Sequence, residues 1–150
     1  MTLDIRRARR EDVPAIVTLL ADDAVSVARG ITAEVVDGHF EAFDALDADP
    51  NQLLWVLTEN DEIIGTQQLT FIPGISRHGA WRAQIEAVRI SSMRRGAGLG
   101  AFFIEAAVEE ARKRGCALVQ LTSDTRRTDA HRFYERLGFT KSHAGFKLAL

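Results

Sequence analysis

The stretch Arg94-Arg95-Gly96-Ala97-Gly98-Leu99-Gly100 decides the fold, because it joins a predicted strand to the clearest helix in the chain. That helix is predicted over Gly98–Arg114 from its single apolar stripe, and Gly115 follows its basic end as a stop signal. Glycines let backbone N–H groups approach a ligand, and a helix N-terminus adds unpaired donors and partial positive charge. Together with the two arginines, this segment favours a pyrophosphate-binding loop.

The segments around this loop predict alternating strands and helices. Strands are predicted at Leu3–Ala8, Leu53–Thr58, Ile63–Phe71, Trp81–Ile90 and Ala117–Thr122, and from Phe139 to the C-terminus; the remaining helices are predicted after Glu11, around Ala33–Leu46 and at Thr128–Leu137. The order β-α-α-β-β-β-α-β-α-β indicates an α/β fold of the α+β kind. Its one sheet is mixed but mostly antiparallel, and helices cover both faces. Without a repeat or a shift in composition, residues 1–150 are expected to form a single domain.

Composition excludes several classes of function. The net charge of −2 gives no overall basic field, so neither nucleic acid nor a membrane is expected as a partner. No apolar run has the length of a signal peptide core or a membrane span. The single cysteine, Cys116, fits a reducing compartment, which indicates the cytoplasm. The histidines His39, His78, His131 and His143 lack metal-ligand spacing, so no metal site is expected.

A glycine loop has other interpretations. Gly96, Gly98 and Ala101 fit a relaxed dinucleotide-binding pattern, and Asp124 ends the next predicted strand. A Rossmann domain requires further βαβ units, however, and only 26 residues follow Asp124 in the 150-residue chain. The Gly-Lys-Ser/Thr of a Walker loop is absent. A glycine-rich turn with solvated arginines stays open as the purely structural alternative.

Two motifs resemble a known family. Arg95-Gly96-Ala97-Gly98-Leu99-Gly100 resembles the GNAT signature Gln/Arg-x-x-Gly-x-Gly/Ala, and residues 130–139, AHRFYERLGF, resemble its second signature, Ala-x-x-Phe-Tyr-x-x-x-Gly-Phe. The chain is thus similar to GNAT superfamily N-acetyltransferases, which implies a GNAT-like domain whose sheet is splayed at an acetyl-CoA site. Many members carry asparagine three residues before the motif alanine, where this chain has Arg127. The contact that this asparagine makes is therefore not expected here.

The resemblance implies a set of residues that contact acetyl-CoA, the cosubstrate. The loop would hold the pyrophosphate, and the backbone of residues 88 and 90 would pair with the pantetheine arm. The full predicted set is Val88, Ile90, Arg95, Gly96, Ala97, Gly98, Leu99, Gly100 and Thr125.

Acetyl transfer to an amine requires proton removal, oxyanion donors and an acid for the departing thiolate. Glu86 is the candidate base, since the resemblance places the acetyl group beside its strand. A carboxylate with an ordinary pKa of about 4.3 favours proton relay through water. Tyr134 is the candidate acid, because the tyrosine of the matching motif lies near the thioester sulfur. Gln84, on the same strand face as Glu86, and Trp81 are candidates to contact the substrate.

The substrate class is suggested by local similarities. Residues 126–134 and the C-terminal end resemble aminoalkylphosphonate N-acetyltransferases, whereas Ile85–Val88 are closer to glucosamine-6-phosphate N-acetyltransferases. Both handle small amines that carry an anionic group, and Arg29, Arg77 and Arg82 are candidates to bind such a group. A non-catalytic CoA-binding sensor or regulator is the alternative function, a peptide N-terminus is an alternative acceptor, and a homodimer stays open as the assembly.

Overall fold

One five-stranded sheet organises the protein. The computed structural model describes residues 2–150. The strands are β1 (Leu3–Arg7), β2 (Gln52–Glu59), β3 (Glu62–Ile72), β4 (Arg82–Ile90) and β5 (Leu118–Leu121). They lie in sequence order across the sheet, with β1 to β4 antiparallel and β5 parallel to β4. The mixed, mostly antiparallel sheet predicted from the sequence is confirmed.

Within residues 2–150, six α-helices flank this sheet. They are α1 (Val13–Ala21), α2 (Ala24–Ala28), α3 (Asp37–Ala48), the short turn α4 (Ser76–Gly79), α5 (Leu99–Lys113) and α6 (Thr128–Arg136). One face of the sheet buries α1 and α3, where Ile16 and Phe43 pack beside Val56. The other face buries α5 and α6. Among residues 2–150, no helix combines the length and the apolar character that crossing a membrane requires.

Most predicted elements agree with the structure to within a residue at each end, because turn residues mark their limits. The β2–β3 hairpin is an example: Asn60 and Asp61 both take positive φ angles, of 50° and 68°, as a tight hairpin turn requires.

The second helix differs from its prediction around Ala33–Leu46. Helix α3 begins at Asp37, because the Nδ1 atom of His39 accepts a hydrogen bond from the Val36 N–H at 3.1 Å and fixes the start there. Thr32, just before the predicted start, lies outside the helix, where its hydroxyl accepts a hydrogen bond of 3.3 Å from the Glu34 N–H. The short helix α2 was not predicted.

The strand predicted from Phe139 to the C-terminus is wrong for the single chain. Residues 139–150 contain no regular secondary structure, and Thr140 to Leu150 are all exposed. The alternation of apolar and other residues over Phe146–Leu150 is typical of a strand, but within residues 2–150 nothing pairs with this segment.

Candidate active site

The site begins at a bulge in β4. Thr66 of β3 pairs with Arg89, and Gln68 pairs with Glu86, so Gln67 alone faces two residues of β4. Ala87, the extra residue, has a φ of 54°, a left-handed conformation that is uncommon outside glycine. The bulge bends β4 and increases its twist at this point.

Gln67 fixes the bulge against α5. Its side chain is fully buried, and its Nε2 atom donates a hydrogen bond of 2.9 Å to the Phe103 carbonyl. Its Oε1 atom is buried without a hydrogen-bond partner among residues 2–150, so the bond from Nε2 is the one that fixes the side chain. The bulge and the helix that follows it are therefore held in one geometry.

Strands β4 and β5 pair over only part of their length. The ladder runs from Arg82 and Leu118 to Ile85 and Leu121, where β5 ends. Strand β4 continues for five further residues, Glu86 to Ile90, which have no neighbouring strand on that side within residues 2–150. The backbone groups of this open edge are free to pair with an extended ligand, as an added strand would. Val88 and Ile90, predicted to contact acetyl-CoA, both lie on it.

The glycine loop lies directly beyond this open edge. Gly96 and Gly98 have φ angles of 85° and 75°, and Gly98 is the N-cap of α5 without any side-chain cap. The first intrahelical acceptor is the Gly98 carbonyl, which receives the Phe102 N–H at 3.1 Å. The N–H groups of residues 99–101 thus have no intrahelical partners and form an anion-binding end. Ala97 is exposed on the same loop.

Leu99 and Gly100 have packing roles as well. The Leu99 side chain is buried in the core with Phe103, so only its backbone is available to a ligand. A Cβ on Gly100 would lie 3.2 Å from Cζ of Phe133 on α6. The small size of Gly100 therefore lets α5 and α6 approach each other.

The two arginines of the loop are already engaged. The Arg94 guanidinium pairs with Glu59 on β2. The Arg95 guanidinium donates 2.9 Å and 3.4 Å hydrogen bonds to the carbonyls of Asp22 and Ile90. Because carbonyls do not neutralise charge, Arg95 keeps its full charge beside the helix N-terminus, whereas that of Arg94 is balanced by Glu59.

A chain of side-chain hydrogen bonds orients Glu86. Nε2 of Gln120 on β5 donates to Oε1 of Gln84 at 2.9 Å, and Nε2 of Gln84 donates to the Glu86 carboxylate at 2.6 Å. The prediction that Gln84 and Glu86 share a strand face is therefore confirmed. Glu86 is exposed, so its carboxylate also contacts water.

Tyr134 is half-buried on α6, between aromatic rings. Its ring meets those of Phe133 and Phe139 edge to face, at centroid distances of 5.2 and 5.8 Å. Its hydroxyl forms no hydrogen bond with residues 2–150. Burial raises the pKa of Tyr134 against the opposing effect of two nearby guanidinium groups, Arg89 and Arg127. The hydroxyl therefore stays protonated at neutral pH and can serve as an acid.

A charged cluster lies close to Tyr134, and the sequence alone did not indicate it. Asp23 pairs with the Arg127 guanidinium and lies 3.7 Å from Nε of Arg89. The Nε atom of Arg89 is buried and has no hydrogen-bond partner among residues 2–150. Two guanidinium groups thus share one carboxylate, which leaves a local excess of positive charge. The signal available in the sequence was Arg127, which stands at the position where the family commonly has asparagine.

Asp22 to Arg29 form a segment that spans the gap between β4 and β5; we call it the bridging segment. On the loop side, Asp22 accepts a hydrogen bond of 3.2 Å from the Ser92 N–H and binds Arg95 through its carbonyl. On the other side, Asp23 binds Arg127, and Arg29 pairs with Asp124 after β5. The segment therefore ties together both walls of the open edge.

Other residues that were predicted to belong to the site lie at its edge or outside it. Trp81 precedes β4, five positions before Glu86 and roughly 16 Å away along a strand. Thr125 is exposed in the loop that leads to α6. Arg29 shares the carboxylate of Asp124 with Arg126, whereas Arg77 and Arg82 form no ion pair with residues 2–150. Arg77 and Arg82 lie near Trp81, away from the open edge.

Comparison with known proteins agrees with this geometry. Residues 14–139 match the model of the acetyltransferase (GNAT) family. The aminoalkylphosphonate N-acetyltransferase of Salmonella typhimurium is 31% identical over 151 residues, which covers 95% of this chain and 97% of the relative.

Solved structures share the fold. A protein from Bacillus halodurans C-125, described as a transcriptional regulator, superposes with a TM-score of 0.94 at 41% identity over 99% of this chain and 100% of its own. Glucosamine-6-phosphate N-acetyltransferase from Arabidopsis thaliana superposes with a TM-score of 0.82 at 21% identity, over 99% of each chain, which shows likeness of fold. The chain belongs to the GNAT family of acetyltransferases and is an N-acetyltransferase.

Proposed function

We propose that the protein transfers the acetyl group of acetyl-CoA to a small primary amine by direct attack in a ternary complex. The observation that carries this proposal is the open edge of β4, which ends at the N-terminus of α5. Acetyl-CoA lies along this edge: the pantetheine arm pairs with the backbone at Val88 and Ile90, and the pyrophosphate meets the first turn of α5. The acetyl group then lies near Glu86, with N–H groups of the bulged strand as donors to the oxyanion.

The proposed reaction uses Glu86 and Tyr134 in opposite roles. Glu86, through a water molecule, removes a proton from the substrate ammonium. The free amine nitrogen attacks the thioester carbon and then loses its second proton, which passes through water to restore the Tyr134 hydroxyl. The carbon–sulfur bond breaks as the tetrahedral intermediate collapses. Tyr134 gives its phenolic proton to the departing thiolate, which leaves as CoA. Gln84 holds the Glu86 carboxylate in place and is available to the substrate.

The acceptor in this proposal is a small amine that carries an anionic group. Two observations support this class: the curated relative is an aminoalkylphosphonate N-acetyltransferase, and Arg89 and Arg127 share the single carboxylate of Asp23. The excess positive charge favours an anionic substrate beside Tyr134. Arg89 and Arg127 replace Arg29, Arg77 and Arg82 as the preferred anion-binding groups.

The test is a panel of matched amines. Aminomethylphosphonate, aminoethylphosphonate and glucosamine 6-phosphate are compared with ethylamine and glucosamine, while release of free thiol from acetyl-CoA is followed. The proposal expects a higher kcat/KM for the anionic amines. Equal rates for charged and neutral partners would contradict the substrate class, and tight binding of NAD but not of acetyl-CoA in calorimetry would contradict the site itself.

A second candidate is a CoA-binding regulator without catalytic activity. It is favoured by the description of the Bacillus halodurans structure as a transcriptional regulator. Such a protein would bind acetyl-CoA in calorimetry yet release no thiol with any amine of the panel. We favour the enzyme, because a regulator needs neither Glu86 held by Gln84 nor the protonated hydroxyl of Tyr134 beside the open edge.

Three further features belong to the proposal. A single domain over residues 1–150 acts as a homodimer, works in the cytoplasm and uses neither nucleic acid nor a membrane as a partner. The single cysteine supports the compartment, and the net charge of −2 supports the absence of nucleic acid and membrane partners.

A further inference from the structure

A single carboxylate oxygen lies between the two guanidinium groups that the proposed function assigns to the anion of the acceptor. Oδ2 of Asp23 pairs with Nη1 of Arg127 and lies 3.7 Å from Nε of Arg89. All three side chains are mostly buried, with exposed fractions of 12% for Asp23, 21% for Arg127 and 18% for Arg89. Water and dissolved ions therefore screen these charges only partly.

The other oxygen of Asp23 has a separate role. Oδ1 accepts a hydrogen bond of 2.7 Å from the Ser26 N–H, which makes Asp23 the N-cap of α2. This cap does not require a charge, since asparagine and aspartate serve about equally well at the position. The contact of Asp23 with the arginines and its support of α2 can therefore be separated by substitution.

The charge of the two arginines is incompletely balanced. The distance of 3.7 Å from Asp23 is too long for a hydrogen bond, and Nε of Arg89 is buried without a partner among residues 2–150. Nη1 of Arg89 donates instead to the Val88 carbonyl, at 2.9 Å, which carries no net charge. Burial, and then the charge of Arg127, lowers the pKa of Arg89, as expected for a cation without a full counter-charge.

We propose that Asp23 is an internal competitor for the anion site: its carboxylate takes the place of the acceptor's anionic group in the free protein, and the acceptor displaces it on binding. This inference rests on the proposed function, in which Arg89 and Arg127 hold that group. The displacement breaks only the contacts of Oδ2. The N-cap bond to Ser26 does not involve the arginines, so α2 keeps its first turn.

This competition selects among anionic amines. Asp23 is tethered beside the arginines, and a tethered group has an effective concentration on the order of millimolar or higher. A free monocarboxylate offers the arginines the same chemical group, so it replaces Asp23 only above such concentrations. A phosphonate or phosphate carries up to two charges and three acceptor oxygens, which suffice for both guanidinium groups. Asp23 is therefore a specificity-determining residue that excludes amines with a carboxylate, such as amino acids, and admits those with a phosphonate or phosphate.

The kinetic experiment compares the parent with Asp23→Asn, which removes the charge and keeps the N-cap. The acceptors are 2-aminoethylphosphonate, β-alanine and ethylamine, which present a phosphonate, a carboxylate and no anion on the same short chain. We expect the KM of both anionic amines to fall about tenfold or more and by similar factors, because both lose the same competitor. The KM of ethylamine and all three kcat values should change by less than about twofold. The control is Asp129→Asn, which removes an exposed carboxylate of α6 that pairs with Arg132 and should change nothing.

A binding experiment tests the competition without turnover. Methylphosphonate has no amine and is not acetylated, so calorimetry measures its affinity for the anion site alone. We expect it to bind Asp23→Asn about tenfold more tightly than the parent. If neither protein acetylated any amine but this gain remained, the proposed function would be refuted and the competition for the arginines supported.

Other results would overturn the competition. Unchanged methylphosphonate affinity in the variant would show that Asp23 does not occupy the anion site. An equal gain for ethylamine would mean that Asp23 only restricts access to the site, and weaker binding of the anions would mean that it positions the arginines. Asp23→Ser, which also provides an N-cap, is the second variant if Asp23→Asn does not fold, and circular dichroism checks the helices of both.

Discussion

The Gln84 side-chain amide donates a 2.6 Å hydrogen bond to the carboxylate of Glu86, two positions along the same strand. Gln84 in turn accepts from Gln120 on β5. The side chains of Gln84 and Gln120, in the paired part of β4 and β5, thus orient Glu86 at the start of the open edge. A side chain held in this way loses little further freedom when it takes up a proton, which suits a base.

Replacing Glu86 by Gln tests that role. We expect Glu86→Gln to lower kcat about 10²-fold, because it removes the base but keeps the shape of the side chain and its contact with Gln84. The affinity for acetyl-CoA, measured by calorimetry, stays within about twofold, and the acidic limb of the pH–rate profile is lost. The matched control is Glu62→Gln, an exposed carboxylate of β3 outside the site. Normal turnover with an unchanged profile would reassign Glu86 to a structural role.

Tyr134→Phe removes the proposed acid and keeps the ring. Stability should change little, because the hydroxyl bonds to none of residues 2–150 and the edge-to-face contacts with Phe133 and Phe139 remain. We expect kcat to fall about 10²–10⁴-fold, with partial recovery when the acyl donor has a more acidic thiol. A parallel loss of acetyl-CoA affinity would instead make Tyr134 a cosubstrate contact.

The chain contains one tyrosine, so its ionisation can be followed directly by ultraviolet absorbance. Burial raises the pKa of Tyr134, and the tyrosine of the folded protein should therefore titrate above its ordinary pKa of 10.0 and above the tyrosine of the unfolded chain. Because the Tyr134 hydroxyl keeps its proton up to its raised pKa, we expect its ionisation to lower activity only above that pH. A titration below that of the unfolded chain would contradict the described environment.

Two glycines with positive φ angles make it possible to distinguish the effect of backbone strain from the loss of a ligand contact. Gly98 and Gly115, at opposite ends of α5, have φ angles of 75° and 77°, and a Cβ on either would meet open space. Both Gly98→Ala and Gly115→Ala should therefore cost about 1 kcal/mol of stability. Only Gly98→Ala should weaken acetyl-CoA binding, by about tenfold, because its methyl group blocks the backbone approach to pyrophosphate. Equal affinities in the two variants would remove the loop from the site.

Asp12 should govern part of the acid sensitivity of the fold. Burial raises its pKa, but hydrogen bonds from Arg6 and the Arg9 N–H outweigh that effect and hold the pKa below its ordinary 3.8. A lowered pKa in the folded state stabilises the protein above the unfolded value, and this contribution is lost as pH falls through the folded value. Asp12→Asn should therefore cost about 2–3 kcal/mol at pH 7, and progressively less below about pH 3.8.

The control for Asp12 is Asp44→Asn, which removes an exposed partner of Arg10. Exposed pairs contribute at most about 1 kcal/mol, so this variant should differ little from the parent at any pH. Urea unfolding at several pH values measures both variants. A constant cost of Asp12→Asn down to pH 2 would show that the ionised carboxylate is not the stabilising form.

Local sequence signals predicted most of the fold. Glycines, Asn60 and Asp61 placed the limits of the strands and of α5, and the alternation on β4 placed Gln84 and Glu86 on one face. The bulge was not predictable, because alanine at position 87 gives no sign of a positive φ. Its cause is tertiary: Gln67 opposite it is bound to Phe103 of a later helix.

Contacts between residues far apart in the sequence explain the other features that were not predicted. Asp23 and Arg127 are 104 positions apart, and no local pattern relates them. The C-terminal segment shows the opposite case, since its alternation is that of a strand but the single chain provides no partner for it. The periodicity of a segment indicates which secondary structure it favours, whereas strand pairing depends on whether another strand lies beside it.

The bridging segment, finally, is attached in a way that should respond to ionic strength. It is joined to the loop after β5 by the charged pairs Asp23–Arg127 and Arg29–Asp124, whereas hydrophobic packing is not weakened by salt in this way. Dissolved ions screen partly exposed charges over about 8–10 Å at physiological concentrations. We therefore expect the attachment of the bridging segment to the loop after β5 to weaken as the salt concentration rises.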